Sequence, residues 1–340
     1  MKKKFALYLA FVMLAASVLT GCGNDSANSG DGDTAGQESY VFSLSTPVTE
    51  TTVQGQEIHK FANLVNERSE GRITINPFFS NVLGNQKDMF TALANNEQEL
   101  IMDGSITDYY GTEYSFIAAP FLIHNSEHLQ AILDSDLFQQ MKDALVEDNV
   151  AVIGAGIVGN RELYSAVELI SAADVSKLII RMPDLISYID AWSTIGANVQ
   201  VMGGSDVYSA LSTGVVNSCE GGYSQAVSDK YSEVTEYIYT TNHISEPYFI
   251  YASQAWLDSL PEDIAQIITE CAEEVMQDFT VSMAEEMENS KQQLIDDGMT
   301  YVDNIDFSEL FDKMQPVYEE KFNSGEWASS YEEIMSYYNG

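Results

Sequence analysis

Arginine is scarce in this sequence. Of 340 residues, 52 are aspartate or glutamate and only 15 are lysine or arginine, a formal charge of −37. The arginines are Arg68, Arg72, Arg161 and Arg181. A surface so acidic excludes nucleic acid and anionic lipid headgroups as partners. It also repels small anions. Salt screens that repulsion beyond roughly 8 Å, so an anion has to be met by an enclosed cationic site. Cysteine is equally sparse. Three cysteines in a chain of this length make no disulfide framework, and Cys219 and Cys271 fit either one bridge or two buried thiols. No G-x-S-x-G elbow is present and neither of those cysteines stands in a nucleophile context, so nothing argues for an enzyme or a cofactor. Beyond Thr20 no apolar run is long enough to span a bilayer.

The N-terminus has the layout of an export leader. Lys2, Lys3 and Lys4 precede an apolar run from Phe5 to Val18, and Leu19-Thr20-Gly21 leads into Cys22. Small residues before a cysteine resemble a bacterial lipoprotein processing site. That resemblance implies removal of residues 1–21, lipidation of Cys22 and an extracytoplasmic body held to the membrane by its lipid. Residues 22–39 are mostly Gly, Ser, Asn and Asp without apolar periodicity, which reads as a flexible tether.

The remaining chain is long enough for two lobes. It opens as strand, helix, strand, helix, strand: Tyr40 to Ser45, Gln54 to Arg68, Arg72 to Pro77, a helix around Met89, Phe90 and Leu93, then Leu100 to Met102. Such alternation predicts an α/β fold with a mainly parallel sheet. A helix from Ser126 to about Phe138, a strand Val150 to Ile153, a strand Val201-Met202 and a helix Asp206 to Thr213 follow. Two late strands are expected, Glu233 to Thr241 and Tyr248 to Ala252, and then a helix from Pro261 to about Asp297. At 1.5 Å per residue that helix could reach across both lobes.

Two motifs invite a chemistry that their context withholds. Gly154 to Gly159, GAGIVG, has the dinucleotide spacing, but Asn160 to Ser165 alternates like a strand where a helix is needed, and no acid follows at the required distance. A flexible crossover is the simpler reading. His124 and His128 are spaced for one helical face, yet Asn125-Ser126 reads as a helix start and leaves His124 outside it, so no metal site is expected.

The arginines carry more information. Arg68 and Arg72 lie in the polar turn ERSEGR, where solvation is enough. Arg161 and Arg181 lie in extended apolar surroundings, and Arg181 ends the strand Leu178-Ile179-Ile180, which Met182-Pro183 terminates. A guanidinium there needs a partner, either an internal carboxylate or that of a ligand. Ligands of parallel sheets bind at the carboxyl ends of strands, here Thr46, Met102 to Ser105, and Arg181 to Asp184.

The order of several short motifs resembles the solute-binding proteins of TRAP transporters (tripartite ATP-independent periplasmic transporters). The motifs are Phe61 to Val65, Gly71-Arg72, Leu83-Gly84, Ala119 to Leu122 with Glu127-His128, and Lys177 to Glu220 with its IRMP strand end and Ser205 to Tyr208. Thr241 to His243 and Leu260 to Glu262 extend the match. The resemblance implies a two-lobed periplasmic-binding-protein-like α/β fold with hinge strands and a long helix spanning both lobes. Lobe 1 would comprise 40–158 and 247–286, and lobe 2 159–246 and 287–340. It further implies an Arg181 salt bridge to the ligand carboxylate, assisted by Arg161 and flanked by Asp184. Thr46, Gln86, Met102, Asp103 and Ser105 would form the opposing wall. Two positions depart from the family pattern. Gly204 stands where an aromatic is usual, and Gly221-Gly222 where an asparagine-proline is, with Tyr223 beside them as a replacement phenol. The implied partners are a small carboxylate and the membrane subunits of the transporter. An ABC-type receptor, an exported hydrolase of acidic sugars, and a purely structural role for both arginines stay open.

Overall fold

In the computed structural model residues 38–338 are described, so the leader, Cys22 and nearly all of the tether lie outside the described residues. Nine strands form one sheet: β1 (Tyr40–Ser45), β2 (Ile73–Phe78), β3 (Leu100–Asp103), β4 (Val150–Ser165), β5 (Ile179–Met182), β6 (Asn198–Val201), β7 (Ser218–Gly221), β8 (Tyr237–Ser253) and β9 (Thr300–Val302). Their order is β2-β1-β3-β8-β4-β7-β5-β6, with β9 beside β8. The pairs β1·β2, β1·β3, β5·β6 and β5·β7 are parallel, as the alternation predicts.

The long strands β4 and β8 are antiparallel partners that run through both halves of the sheet. β8 pairs with β3 through Phe249 to Ala252 and with β9 through Tyr237 to Tyr239. β4 pairs with β7 through Glu162 to Ser165. The segment read as a flexible crossover is therefore strand throughout, and the two late strands are one. Pro247 obscures this in the sequence, because proline is rare inside a paired strand. It is tolerated where β4 and β8 slip register, between Ile157 and Gly159.

The glycines of GAGIVG serve a packing purpose. A Cβ on Gly154 would lie 2.9 Å from the Ala272 carbonyl oxygen, and one on Gly156 2.9 Å from that of Met276. Both carbonyls belong to the helix Glu262–Asp296. Only glycine lets that helix rest its backbone on β4. It buries Ile264, Ile268, Ala272, Val275, Met276 and Phe279 along its length. The helix Val53–Arg68 lies beside it, capped by the Thr52 hydroxyl on the Gly55 N–H and burying Ile58, Phe61 and Val65. The expected helix from Ser126 to Phe138 is two helices, Ser126–Leu133 and Asp136–Glu147. Between them the Ser135 hydroxyl donates to the Ile132 carbonyl at 2.6 Å, satisfying a terminal acceptor.

Cys219 and Cys271 are both buried and both free thiols, in separate apolar cores. Among the described residues no helix is long and apolar enough to cross a membrane.

Candidate binding site

The two arginines expected at the site have different company. Arg161, in β4, gives Nε to Glu220 Oε2 at 2.6 Å and Nη2 to Glu220 Oε1 at 3.0 Å, while Nη1 reaches Glu246 Oε1 at 3.0 Å. Its guanidinium also lies 5.9 Å from the Tyr188 ring. Burial opposes its charge, and Glu220 and Glu246 more than offset that. Behind the pair, His243 Nε2 lies 3.3 Å from Glu220 Oε2, and Thr241 Oγ1 is 2.8 Å from His243 Nδ1. Burial opposes ionisation of Glu220, yet Arg161 and His243 hold its carboxyl well below the usual range. Burial also lowers His243, against the pull of Glu220. The internal-carboxylate reading is thus the one Arg161 meets.

Arg181, at the end of β5, is only 6% exposed and forms no ion pair among the described residues. Its single hydrogen bond among the described residues runs from Nε to the Met202 carbonyl at 3.1 Å. The terminal nitrogens donate to no described residue. The charge is felt by Asp229, whose carboxylate instead accepts from Gln225 and Tyr231. β7 lies between β5 and β4 and so separates the two arginines.

Asp103 ends β3 on the other half of the sheet. Its Oδ1 accepts the Gly104 N–H at 2.7 Å and its Oδ2 the Gln86 side-chain amide at 3.1 Å. Gln86 is placed by a capping box, in which Asn85 and Asp88 satisfy each other's backbone at the start of the helix Gln86–Ala94. Burial raises Asp103 to about 7 against those two hydrogen bonds, and Glu246 adds to the rise. A Cβ on Gly104 would be 4.0 Å from Glu246 Oε1, so the β3 end and the Arg161 cluster face each other closely. Tyr248 completes this corner. It is 4% exposed, and its hydroxyl has no hydrogen-bond partner among the described residues. Burial first, then Asp103 and Glu246, hold its phenol well above the ordinary value. A further link joins the halves where the Ser187 hydroxyl donates to Asp108 Oδ2 at 3.0 Å.

The other expected residues are distributed around this group. Thr46 is fully buried at the end of β1, close to Tyr248 but outside hydrogen-bond geometry. Gly221 approaches Arg161, since a Cβ there would lie 3.8 Å from Nη2. Asp184 is exposed and, with Asp108 and Asp103, acts on the half-buried Tyr109. Ser105 bonds Thr107 at 2.7 Å. Gly204 is exposed with open space around it. Met102 packs into an apolar core. Tyr223 lines a separate cavity of about 510 Å³ with Glu162, Asn242, Met287 and Tyr301. Sequence reasoning left out Glu246 and Tyr248. The available signal was a lone acid, Glu246, inside the apolar run from Tyr237 to Ser253.

His124 and His128 stack at 5.9 Å, and His128 Nε2 meets the Ile334 carbonyl at 2.8 Å. No group of residues fit for a metal ion occurs among the described residues.

Comparison with known proteins agrees with this architecture. The model of bacterial extracellular solute-binding protein, family 7, matches residues 44–324. A solute-binding protein of Chromohalobacter salexigens is 26% identical over 268 residues, 78% of this chain and 80% of that protein. The C4-dicarboxylate-binding periplasmic protein of Vibrio cholerae is 24% identical over 294 residues, 86% of this chain and 87% of that one. The crystal structure of a TRAP periplasmic solute-binding protein from Chromohalobacter salexigens with bound D-glucuronate superimposes with a TM-score of 0.81 at 25% identity. The match covers 87% of this chain and all of that one.

Proposed function

Because the chain belongs to family 7 of the bacterial extracellular solute-binding proteins, the receptors of TRAP transporters, we propose that it captures a small organic acid through Arg181 and delivers it to the transporter's membrane subunits. Members of the family are solute-binding transport proteins rather than enzymes, and membership favours neither an ABC-type receptor nor a hydrolase. The observation that carries the proposal is the contrast between the arginines. Arg161 has its charge satisfied twice over, whereas among the described residues buried Arg181 commits only Nε. A guanidinium fork with both terminal nitrogens unspent fits a planar carboxylate in two-point fashion.

In this reading the acid enters between the 40–158/247–286 lobe and the 159–246/287–340 lobe, pairs with Arg181, and is enclosed as the lobes close over it. Closure removes water and strengthens the ion pair. A micromolar dissociation constant is about −8 kcal/mol, so one pair needs several further polar contacts. Gln86, Asp103 and Gly221 are the residues assigned to them. Sugar acids are the favoured ligand class, by analogy with the glucuronate-bound relative. Lipid attachment at Cys22 would hold the receptor at the outer face of the membrane.

The test is a thermal-shift screen of the purified protein against organic acids, sugar acids and neutral sugars. A ligand that binds only the folded state raises the melting temperature by mass action. Stabilisation by an acid, lost in Arg181→Ala, supports the proposal. Stabilisation by neutral sugars alone, or by an acid equally in both proteins, overturns it.

A further inference from the structure

The large cavity lined by Glu162 holds an acid that the protein leaves without a countercharge. Its outer wall includes the exposed residues Ala284 and Asp303, and its inner wall the buried residues Val158, Glu162 and Tyr223. Most polar groups on these walls are spent within the protein. The Asn160 side-chain amide donates to Asn242 Oδ1 at 2.7 Å, the Thr280 hydroxyl accepts the Ile157 N–H at 3.1 Å, and the Thr240 hydroxyl donates to the Val302 carbonyl at 3.2 Å. Lys291 is held by Glu288 at 2.5 Å, with its ammonium 5.8 Å from the Tyr301 ring. Glu162 is the exception. It is 2% exposed, its Oε2 accepts the Asn242 N–H at 2.9 Å, and Thr241 and Tyr223 also donate to its carboxyl. Those donors are all neutral, and Glu162 makes no ion pair among the described residues. A carboxylate buried without a countercharge is costly, so its ionisation awaits a cation.

From the cavity and its acid we infer that this is a second binding site, for a small organic ammonium ion that pairs its nitrogen with Glu162 and lays its carbon skeleton among Tyr223, Tyr301 and Met287. Aromatic rings attract a cation, and a thioether adapts to its carbon chain. A chain with 52 acidic and 15 basic residues also concentrates cations at its surface. The site stands apart from the two arginines, neither of which lines it. Glu162 follows Arg161 in β4, and successive strand residues face opposite sides of a sheet, so the cavity lies away from the Arg161 cluster. β4 and β8 slip register at its wall, between Ile157 and Gly159 and between Arg161 and Leu163. A guest there bears on the two strands that join the halves of the sheet.

Burial raises the Glu162 carboxyl to about 8, so a guest arriving at neutral pH displaces its proton to the buffer. Burial first and then Glu162 hold the phenols of Tyr164 and Tyr223 well above their ordinary value, and Glu288 raises Lys291, so none of these three changes charge between pH 6 and 8. Tyr301 and Asp303 complete the titratable set. The experiment titrates the purified protein calorimetrically with methylammonium, butylammonium, putrescine and choline at constant ionic strength, and with neutral butan-1-ol. At least one ammonium compound should bind about tenfold or more tighter than the alcohol, and its affinity should rise about tenfold from pH 6 to pH 7 and level off above pH 8. Proton release, read from the heats in buffers of different ionisation enthalpy, identifies the carboxyl as the partner. In Glu162→Gln, shown to be folded by its melting temperature, that binding should weaken at least about tenfold and lose its pH dependence. The site is overturned if no ammonium compound binds, if butan-1-ol binds as tightly as butylammonium, or if folded Glu162→Gln keeps the parent's affinity.

Discussion

Arg161 and Glu220 form a two-point ion pair in which the carboxylate is wholly buried. Removing one partner of such a pair leaves an uncompensated charge, which typically costs 3–5 kcal/mol. Glu220→Ala is expected to lose about that much stability in urea unfolding, moderated by the second carboxylate, Glu246. The pH dependence has a definite sign. Glu220 is held below its ordinary value of 4.5, so its contribution is complete above that value and fades as pH falls through the lower folded value. The stability gap between the two proteins should therefore be constant near neutrality and close in strong acid.

The glycines of β4 predict a second outcome. Gly156→Ala places a methyl 2.9 Å from the Met276 carbonyl and 3.0 Å from the Phe279 ring, neither of which can yield without moving the long helix. Overpacking of this kind costs about 1–3 kcal/mol. The loss should register in chemical denaturation, and a variant of unchanged stability would refute the close packing of helix on strand.

That packing shows what the sequence could and could not disclose. The parallel strands, the long helix and the arginine at the end of β5 were legible because apolar periodicity and a proline stop are local signals. β4 and β8 were not legible as continuous strands. Their glycines, Asn242 at φ +44° and Pro247 are loop signals by local propensity, and only the helix backbone on one side and the paired strand on the other override them. The sequence put Arg181 ahead of Arg161 as the anchor, but for the same reason it could not show that Arg161 alone has internal partners. What separates them is Glu220 from β7 and Glu246 from β8, partners 59 and 85 residues away.

A third prediction concerns Glu162, on the wall of the large cavity. Burial raises its carboxyl from 4.5 to about 8, although the Asn242 N–H bonds it at 2.9 Å. Between those values the unfolded chain has released the proton and the folded chain keeps it, so stability falls as pH rises. Glu162→Gln cannot ionise. It should match the parent near pH 4 and be the more stable protein above pH 8, by at most on the order of 5 kcal/mol. Melting temperatures measured across that range decide the point.

The thiols give a simpler test. Cys219 and Cys271 are both fully buried, and burial raises both above the ordinary thiol value, which disfavours the reactive thiolate. Neither should react with a thiol reagent in the native protein, and both should react on unfolding. A reductant should leave the melting temperature unchanged, because no bridge links them.

Lysine in place of each arginine separates anchoring from architecture. Arg181→Lys keeps the charge but loses the planar fork, and in the folded protein it forfeits only the Nε bond to Met202. Its melting temperature should stay within a few degrees of the parent, while affinity for the acid falls about tenfold or more as two-point pairing becomes one-point. Arg161→Lys loses three hydrogen bonds to two carboxylates, so its stability should fall first, with affinity following through the disturbed Glu246. Paired measurements of melting temperature and dissociation constant place each variant on one of these axes. If Arg181→Lys instead loses stability and keeps its affinity, the roles of the two arginines are reversed, and the ligand carboxylate must compete with Glu246 for Arg161.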